Sequence, residues 1–267
     1  MIYVFYDYRA PREVCEGLIE AGFVPLAVRG SKGLSDAVHG HADLNVLHIG
    51  KTLVVRREVA ECYPALLSCE GVVVSDEMTK AQYPDEAKFC AKVVGDILYH
   101  GKVVADDVLR VARAEGLSCQ EVKQGYVACN LLVVDAFHAI TSDASVEKAL
   151  TSRGIEVLRI RDGFISLPPY AYGFIGGASG VYGNNVYFLG DVMRHPDGER
   201  MVEFITSCKK NVVSLSRGEL FDGGGLVFFE SELSLTVGEN AKNDSEQRDQ
   251  DHTEQTENTI RNIKQDQ

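Results

Sequence analysis

Apolar and polar residues alternate in a pattern that recurs along the chain. One period has an apolar run, a tight polar turn, a second apolar run, a stretch with apolar residues three and four positions apart, and a third apolar run. Short apolar runs bounded by turn residues are typical of buried strands, and the spacing of three and four is typical of a helix. The pattern therefore predicts a repeated strand–strand–helix–strand unit.

Four complete units follow one another along the middle of the chain. Their paired strands are predicted at NVLHIG–KTLVV, DILYH–GKVVA, NLLVVD–AFHAIT and SGVYG–NNVYFLG. Their helices are predicted at REVAECYPALLS, DDVLRVARAEG, SVEKALTSRG and DGERMVEFITS, and their third strands at GVVVS, CQEVKQ, IEVLRI and NVVSLS.

The two ends of the apolar part of the chain contain the pieces of a fifth unit. The first residues supply a strand, MIYVFYD, a helix from Arg12 to Ala21 and a strand, FVPLAV, whereas GGLVFFE is a late strand without a helix. Pairing of the two end strands would complete this unit and remove exposed sheet edges. We therefore predict an α/β fold, a five-bladed α/β-propeller of ββαβ repeats with pseudo-five-fold symmetry, closed by pairing of the N- and C-terminal strands. The alternative is an open α/β sandwich of the same units.

The end of the chain differs in composition from the repeats. Residues 238–267 contain one aliphatic pair, Ile260 and Ile263, among polar and charged residues. Such a segment buries too little apolar surface to offset its ordering entropy. We expect a single domain over residues 1–237 and a disordered acidic and polar tail over residues 238–267.

Charge and cysteine usage limit the class of partner. The net charge is −12 and no basic cluster longer than a pair occurs, so we expect no nucleic-acid partner. No apolar run approaches the length of a membrane span and no signal peptide is recognisable, so we expect no membrane partner. The seven cysteines include no C-x-x-C pair, which favours reduced thiols and a cytoplasmic location. The sequence indicates no cofactor, and it leaves the oligomeric state open.

Six short segments add a family resemblance. They are YDYRAP (6–11), GHAD (40–43), VKQGY (122–126), ITSD (140–143), YGFIGGASG (172–180) and HPD (195–197). Together they resemble an uncharacterised bacterial family with the fold of the guanidino-group-modifying enzymes, also called the pentein fold. The resemblance implies a central channel, and in the enzymes of this fold a cysteine thiolate, a histidine and substrate-binding carboxylates act there.

The resemblance carries over only in part when it is followed along the chain. It places a substrate-binding acid at Asp43, but the segment KFCAKVVG has no second acid where one is expected. The expected histidine region holds Lys123 and Gln124, and the expected nucleophile position falls in LVFFE, which has no cysteine. The resemblance therefore implies that this chain is not an ordinary guanidino hydrolase or amidinotransferase. Cys90 and Cys129 remain as relocated nucleophiles or, alternatively, as buried inert thiols.

Two polar groups precede or begin the second unit. Asp7 and Arg9 follow the first strand and either meet a ligand or form an internal ion pair at the start of the first helix. His39, His41 and Asp43 alternate, so that an extended strand would place them on one face, either as a metal site or as a polar rim of the channel without metal.

Further polar groups lie in the second half of the chain. Lys123, Gln124 and Tyr126 end a strand, where they either contact a ligand or are solvated. The glycine-rich segment 173–180 either forms tight turns or cradles a phosphate or carboxylate with its backbone amides. The turn at Asp222 is either a tight turn or the rim of a former active site.

These residues support three functional hypotheses. The first is a small polar ligand in the central channel, bound by Asp43 and Lys123 with help from Gln124, Tyr126, Asp7, Arg9 and His41. The second is an enzyme that acts on an amino-acid-like or guanidino compound with non-standard residues. The third is a non-catalytic scaffold for a protein partner.

Overall fold

The computed structural model describes residues 1–232 and residue 235, and these residues form five three-stranded sheets. The predicted tail lies outside the described residues. The strands are β1 (Ile2–Asp7), β2 (Val24–Val28), β3 (Val46–Ile49), β4 (Thr52–Arg56), β5 (Val72–Ser75), β6 (Lys92–Val94), β7 (Ile97–His100), β8 (Ser118–Glu121), β9 (Leu131–Val133), β10 (His138–Thr141), β11 (Glu156–Arg159), β12 (Ser179–Tyr182), β13 (Asn185–Phe188), β14 (Asn211–Ser214) and β15 (Val227–Glu230).

Six α-helices accompany the strands in the described part of the chain. They are α1 (Arg12–Glu20), α2 (Arg57–Cys62), α3 (Asp106–Ala114), α4 (Val127–Asn130), α5 (Ala144–Thr151) and α6 (Gly198–Ser207). Short 3-10 helices cover Ala42–Leu44, Pro64–Ser68, Asp85–Ala87 and Val192–Arg194. All of these α-helices except α4 connect two parallel strands of one sheet, as a parallel pair requires a crossover.

Each sheet repeats one topology. Its middle strand pairs antiparallel with one neighbour and parallel with the other, in the orders β3-β4-β5, β6-β7-β8, β9-β10-β11, β12-β13-β14 and β15-β1-β2. The structure thus confirms the repeated strand–strand–helix–strand unit.

The terminal strands pair with each other. Strand β15 lies antiparallel to β1, with Tyr3 opposite Phe229 and Phe5 opposite Val227. The backbone N–H of Leu235 also donates to the Tyr3 hydroxyl at 3.1 Å. The two ends of the described chain therefore share one sheet, as their complementary composition predicts.

Hydrophobic clusters lie between consecutive sheets rather than within one sheet. Tyr3 and Phe5 lie in the sheet β15-β1-β2, here called the terminal sheet. They pack with Leu53 and Val55 of the sheet β3-β4-β5. On the other side of the terminal sheet, Val4 lies in one cluster with residues of β13. Further clusters join β3 and β4 to the β6–β7 hairpin, that hairpin to β9 and β10, and β9 and β10 to β12 and β13.

The predicted boundaries of the unit that contains DILYH are wrong. DILYH was expected to pair with GKVVA, but β7 pairs with β6, and the segment 101–105 is a loop. Gly95 adopts a φ of +60°, which permits the tight β6–β7 turn. In the loop, the N–H of Ala105 donates to the carbonyl of Lys88, so this apolar segment packs without joining a sheet.

No helix in the described range is long and apolar enough to cross a membrane.

The pairing of β1 with β15 generates the first prediction. A chain that ends after Gly224 lacks β15 and exposes the edge of β1, whose apolar residues then face solvent. We expect this truncated chain to aggregate. A chain that ends after Val237 keeps β15 and Leu235 and serves as the matched control, and its melting temperature should stay within about 2 °C of the full-length value. Size-exclusion chromatography and thermal unfolding check both, and a soluble, cooperatively folded shorter chain would contradict the role of this pairing.

Candidate functional site

Two cavities lie near the first strands of the sheets. The larger has a volume of about 500 Å³ and is lined by residues of β3, β6, β9, β12 and β15, one strand from each sheet. The smaller has a volume of about 220 Å³ and is lined mainly by the loops that precede these strands. Ala128 lines the larger cavity and its neighbour Cys129 lines the smaller, so the two cavities adjoin the same short helix α4.

Asp222 forms part of the wall of the smaller cavity. Its side chain is 1% exposed and accepts hydrogen bonds from the N–H groups of Phe174 at 2.9 Å and Gly224 at 3.0 Å. A Cβ atom at Gly177 would overlap the carboxylate, so this position has to be glycine. The glycine-rich segment thus packs around an acid, and burial raises the pKa of Asp222.

His41 lies between two carboxylates. Its Nδ1 is 3.7 Å from Asp222 and its Nε2 is 4.0 Å from Asp7, and the side chain is 2% exposed. Burial lowers the pKa of His41 more than the two carboxylates raise it, so the imidazole is neutral near pH 7. A neutral imidazole offers one donor and one acceptor to a ligand.

Asp7 and Arg9 form the internal ion pair that the sequence left as one of two alternatives. The guanidinium of Arg9 donates to Asp7 from Nε at 2.9 Å and from Nη2 at 2.5 Å. It also donates to the carbonyls of Asp36 and Ala37, at 2.7 and 2.9 Å, and lies over the ring of Tyr8. Arg9 therefore holds the loop that leads to His41, and it does not line either cavity.

Asp43 lines the larger cavity and is 6% exposed. Its backbone N–H donates to the carbonyl of Gly224 at 2.9 Å, which fixes the residue at the centre. Among the described residues neither carboxylate oxygen has a hydrogen-bond partner. Burial, followed by the nearby charge of Asp222, raises the pKa of Asp43 to about 8. The carboxyl group therefore retains its proton at neutral pH.

The expected alternation of His39, His41 and Asp43 along a strand is wrong. Residues before Ala42 form turns, and residues 42–44 form a 3-10 helix. The side chain of Asn45 donates to the carbonyls of His39 and His41, at 2.9 and 2.7 Å, and thereby folds this segment back on itself. His39 interacts with the Tyr8 hydroxyl at 3.3 Å, whereas His41 turns towards Asp222.

Cys90 and Cys129 are neighbours. Both are buried, and their sulfur atoms are 3.4 Å apart. Asp43 lies beside these two cysteines: one oxygen of its carboxylate and the two sulfur atoms all lie within 4.8 Å of one another. Burial raises the pKa of the Cys129 thiol well above its usual value, which keeps it protonated.

The structure does not bring Lys123 to Asp43. Lys123 is exposed and lines neither cavity. Gln124 donates to Asp143 at 2.9 Å and accepts from the N–H of Tyr126 at 3.0 Å, so its side chain supports the backbone. Of these three residues, only Tyr126 lines the smaller cavity.

Tyr126 contacts a buried acid that was not predicted from the sequence. Its hydroxyl donates to Glu86 at 2.5 Å, and Glu86 is 4% exposed. Glu86 lies two residues before the first residue of KFCAKVVG, the segment in which an acid was expected. Extending that window by two residues would have found it, whereas the pairing of Cys90 with Cys129 has no local signal in the sequence.

Solved structures with a similar fold cover most of the chain. Agmatine deiminase from C. jejuni matches with a TM-score of 0.53 at 7% identity, over 87% of this chain and 93% of that one. The amidinotransferase of saxitoxin biosynthesis from Microseira wollei matches with a TM-score of 0.51 at 11% identity, over 85% and 82%. Inosamine-phosphate amidinotransferase from Streptomyces griseus matches with a TM-score of 0.50 at 12% identity, over 87% and 84%.

These similarities identify the fold. All three proteins modify amidine or guanidine groups by their names, and at such low identity the likeness shows the pentein fold alone. No curated protein matches this chain in sequence.

A family model, described as a family of unknown function (DUF6873), matches residues 5–227, which is most of the chain. This protein therefore belongs to the family DUF6873 and has the pentein fold.

Proposed function

We propose that this protein binds a small, positively charged molecule in the smaller cavity, with Asp222 as the principal anionic contact. The observation that carries the proposal is the concentration of acids around a cavity that no lysine or arginine lines. Asp222 lines the cavity, Asp43 lies close to it, and Glu86 contacts the lining residue Tyr126. The proposal keeps the small-ligand hypothesis, moves the contact for the cationic part of the ligand from Asp43 to Asp222, and leaves out Lys123, which was expected to bind an anionic part.

The balance of charge favours a cation. Arg9 neutralises Asp7 through two hydrogen bonds, and His41 is neutral because burial lowers its pKa. Asp222 has hydrogen bonds from two backbone amides, but no lysine or arginine lies within ion-pair distance among the residues described. A planar cation with several N–H donors complements such a carboxylate.

The walls of the cavity also suit a cation. Tyr126, Tyr170, Tyr172 and Phe174 line it together with aliphatic residues. Aromatic faces attract cations, and their apolar surface excludes water from the charge. Tyr170 and Tyr172 are 47% and 37% exposed, so both also reach the surface.

The volume limits the size of the ligand. Cavities that hold drug-sized molecules measure about 300–1,000 Å³. At about 220 Å³, the smaller cavity suits a molecule of amino-acid or guanidine size.

We further propose that the five sheets form a closed five-bladed propeller around the larger cavity. The pairing of β1 with β15 and the hydrophobic clusters between consecutive sheets support this arrangement. A cytoplasmic location is part of the proposal, and it is supported by seven cysteines that are all free.

Substitution of the acid and of one aromatic wall tests the binding proposal. We expect calorimetric titration of the wild-type protein to show binding of at least one of three cations: methylguanidine, agmatine and arginine. Asp222→Asn should weaken that binding about 10- to 100-fold, because a charged hydrogen bond is lost. Tyr172→Leu should weaken it about two- to fivefold.

The matched controls are Asp162→Asn, which makes the same change, and Phe137→Leu, which likewise replaces an aromatic ring by leucine; both positions are exposed and lie outside both cavities. Both should leave affinity unchanged. Equal affinity in the wild type and in well-folded Asp222→Asn and Tyr172→Leu variants would contradict the site, as would the failure of every cation to bind.

The affinity for a guanidinium ion should rise with pH. Burial raises the pKa values of Asp43 and Asp222, so this pair holds a proton near pH 7 that opposes a bound cation. Deprotonation near pH 8 should therefore strengthen binding of methylguanidine, which stays charged throughout. Methylurea, a neutral molecule of the same shape, should show no such rise, and an affinity for methylguanidine that falls as pH rises would refute the assignment.

The protein should not release citrulline, ammonia or urea from arginine, methylated arginine or agmatine. The enzymes of this fold attack the guanidinium carbon with a thiolate, whereas burial keeps the Cys129 thiol protonated. A colorimetric assay on purified protein, with and without thiol blocking, measures this directly. Turnover that disappears on blocking would contradict the prediction and would indicate Cys90 or Cys129 as the nucleophile.

A further inference from the structure

The centre of the molecule holds three metal-ligating side chains from three different segments. Asp43 belongs to the 3-10 helix Ala42–Leu44, Cys129 to α4, and Cys90 to the turn before β6. Their ligating atoms lie within 4.8 Å of one another and all three residues are buried. Asp222 is not one of these three ligands, and the inference from the cluster does not rest on the proposed function.

Backbone hydrogen bonds hold each of the three residues in place. The N–H of Asp43 donates to Gly224, the carbonyl of Cys129 accepts from Gly177, and the N–H of Cys90 donates to Ala87, all at 2.9 Å. Ligands fixed in this way lose little conformational freedom when an ion binds.

The cluster is short of hydrogen bonds. Neither oxygen of Asp43 accepts a hydrogen bond of ordinary distance and angle among the described residues, although the nearby Cys129 thiol and Lys92 each lower the pKa of this carboxyl group. The side-chain amide of Asn130, the residue after Cys129, likewise has no hydrogen-bond partner among the residues described. Buried polar groups are ordinarily satisfied, and an orphaned carboxylate calls for an ion or a water. The larger cavity gives access to Asp43, and the smaller one to Cys129.

We propose that Asp43, Cys90 and Cys129 bind a divalent metal ion of the zinc type. Two thiolates favour a soft or borderline ion, and a carboxylate oxygen suits Zn²⁺ better than a monovalent soft ion. Tetrahedral Zn²⁺ holds two thiolate sulfurs about 3.8 Å apart. The observed separation of 3.4 Å requires only a small movement.

The charge of the surroundings agrees with a divalent ion. Binding displaces the protons of both thiols and of Asp43, which leaves three negative ligands around the metal. Lys92 lines the larger cavity and interacts electrostatically with all three of these residues. Burial lowers the pKa of Lys92, and in its protonated form Lys92 balances the one negative charge that a divalent cation leaves on three anionic ligands. Three protein ligands leave a fourth position for water or a small molecule.

A second cluster supplies the matched control. Asp135, His138 and Cys208 also lie within 4.8 Å of one another, but they are only partly buried. The ring of His138 already contacts Asp135 at 2.8 Å, so this group is explained as a surface ion pair. A Cys208→Ser variant therefore carries the same chemical change as Cys90→Ser and Cys129→Ser at a cluster that we do not assign to a metal.

The test is a titration of the reduced, full-length protein with Co²⁺, whose visible and near-ultraviolet bands report tetrahedral thiolate ligation. We expect one equivalent to bind with sulfur-to-cobalt charge-transfer bands that Zn²⁺ abolishes. Cys90→Ser and Cys129→Ser should each weaken binding by at least about tenfold and reduce these bands, whereas Cys208→Ser should leave both unchanged.

Asp43→Asn provides a readout that does not depend on replacing either thiol. It should weaken Co²⁺ binding while the charge-transfer bands persist at saturating Co²⁺, because both sulfur ligands remain. Retained circular dichroism shows that each variant is folded. Absence of thiolate bands in the reduced wild type would overturn the proposal, as would bands that only Cys208→Ser removes.

Discussion

The structure depends on the close approach of five strands that belong to five different sheets and are not paired with one another. The first strand of each unit lines the larger cavity, yet each belongs to a separate three-stranded sheet. Such contacts rely on side-chain packing, and small residues permit them: a Cβ atom at Gly180 would lie 2.6 Å from that of Leu226. The loops before these strands consequently converge in a region from which water is largely excluded. Acids placed there have raised pKa values because little solvent reaches them.

This convergence explains why the polar groups at the centre differ from those at the surface. Asp197 is also buried, but Arg161 and Arg200 donate to it and hold its pKa far below the usual range. Asp43 has no such partner within the described residues. An unpartnered buried carboxyl group costs stability, and proteins retain such groups mainly at sites that bind ions or ligands. The proposed cation site at Asp222 and the proposed metal site at Asp43 both follow from this one arrangement.

The repeat and the pairing of the ends were predictable, because both are recorded in local apolar patterns such as MIYVFYD and GGLVFFE. The position of the β6–β7 hairpin was predicted wrongly, since Val103 and Val104 resemble a strand as closely as Val93 and Val94 do. Asp43 was found by resemblance, but its neighbours were not. Cys90 and Cys129 are 39 positions apart in the chain, and only packing of two units brings them together. The prediction for Lys123 was wrong because the residues at the end of a strand were expected to face the central channel. The side chain of Lys123 is exposed to solvent instead.

The most direct test of this account is the pH dependence of stability with and without the Asp43 carboxyl group. Because its folded pKa is raised from 3.8 to about 8, the protein should lose stability as pH rises between these values. Urea unfolding of the metal-free, reduced protein should show a loss, between about pH 5 and pH 8, that is larger in the wild type than in Asp43→Asn by at least about 1 kcal/mol. Asp162→Asn should behave as the wild type does. A wild type that is more stable than Asp43→Asn at pH 8, with equal pH dependence, would contradict the account.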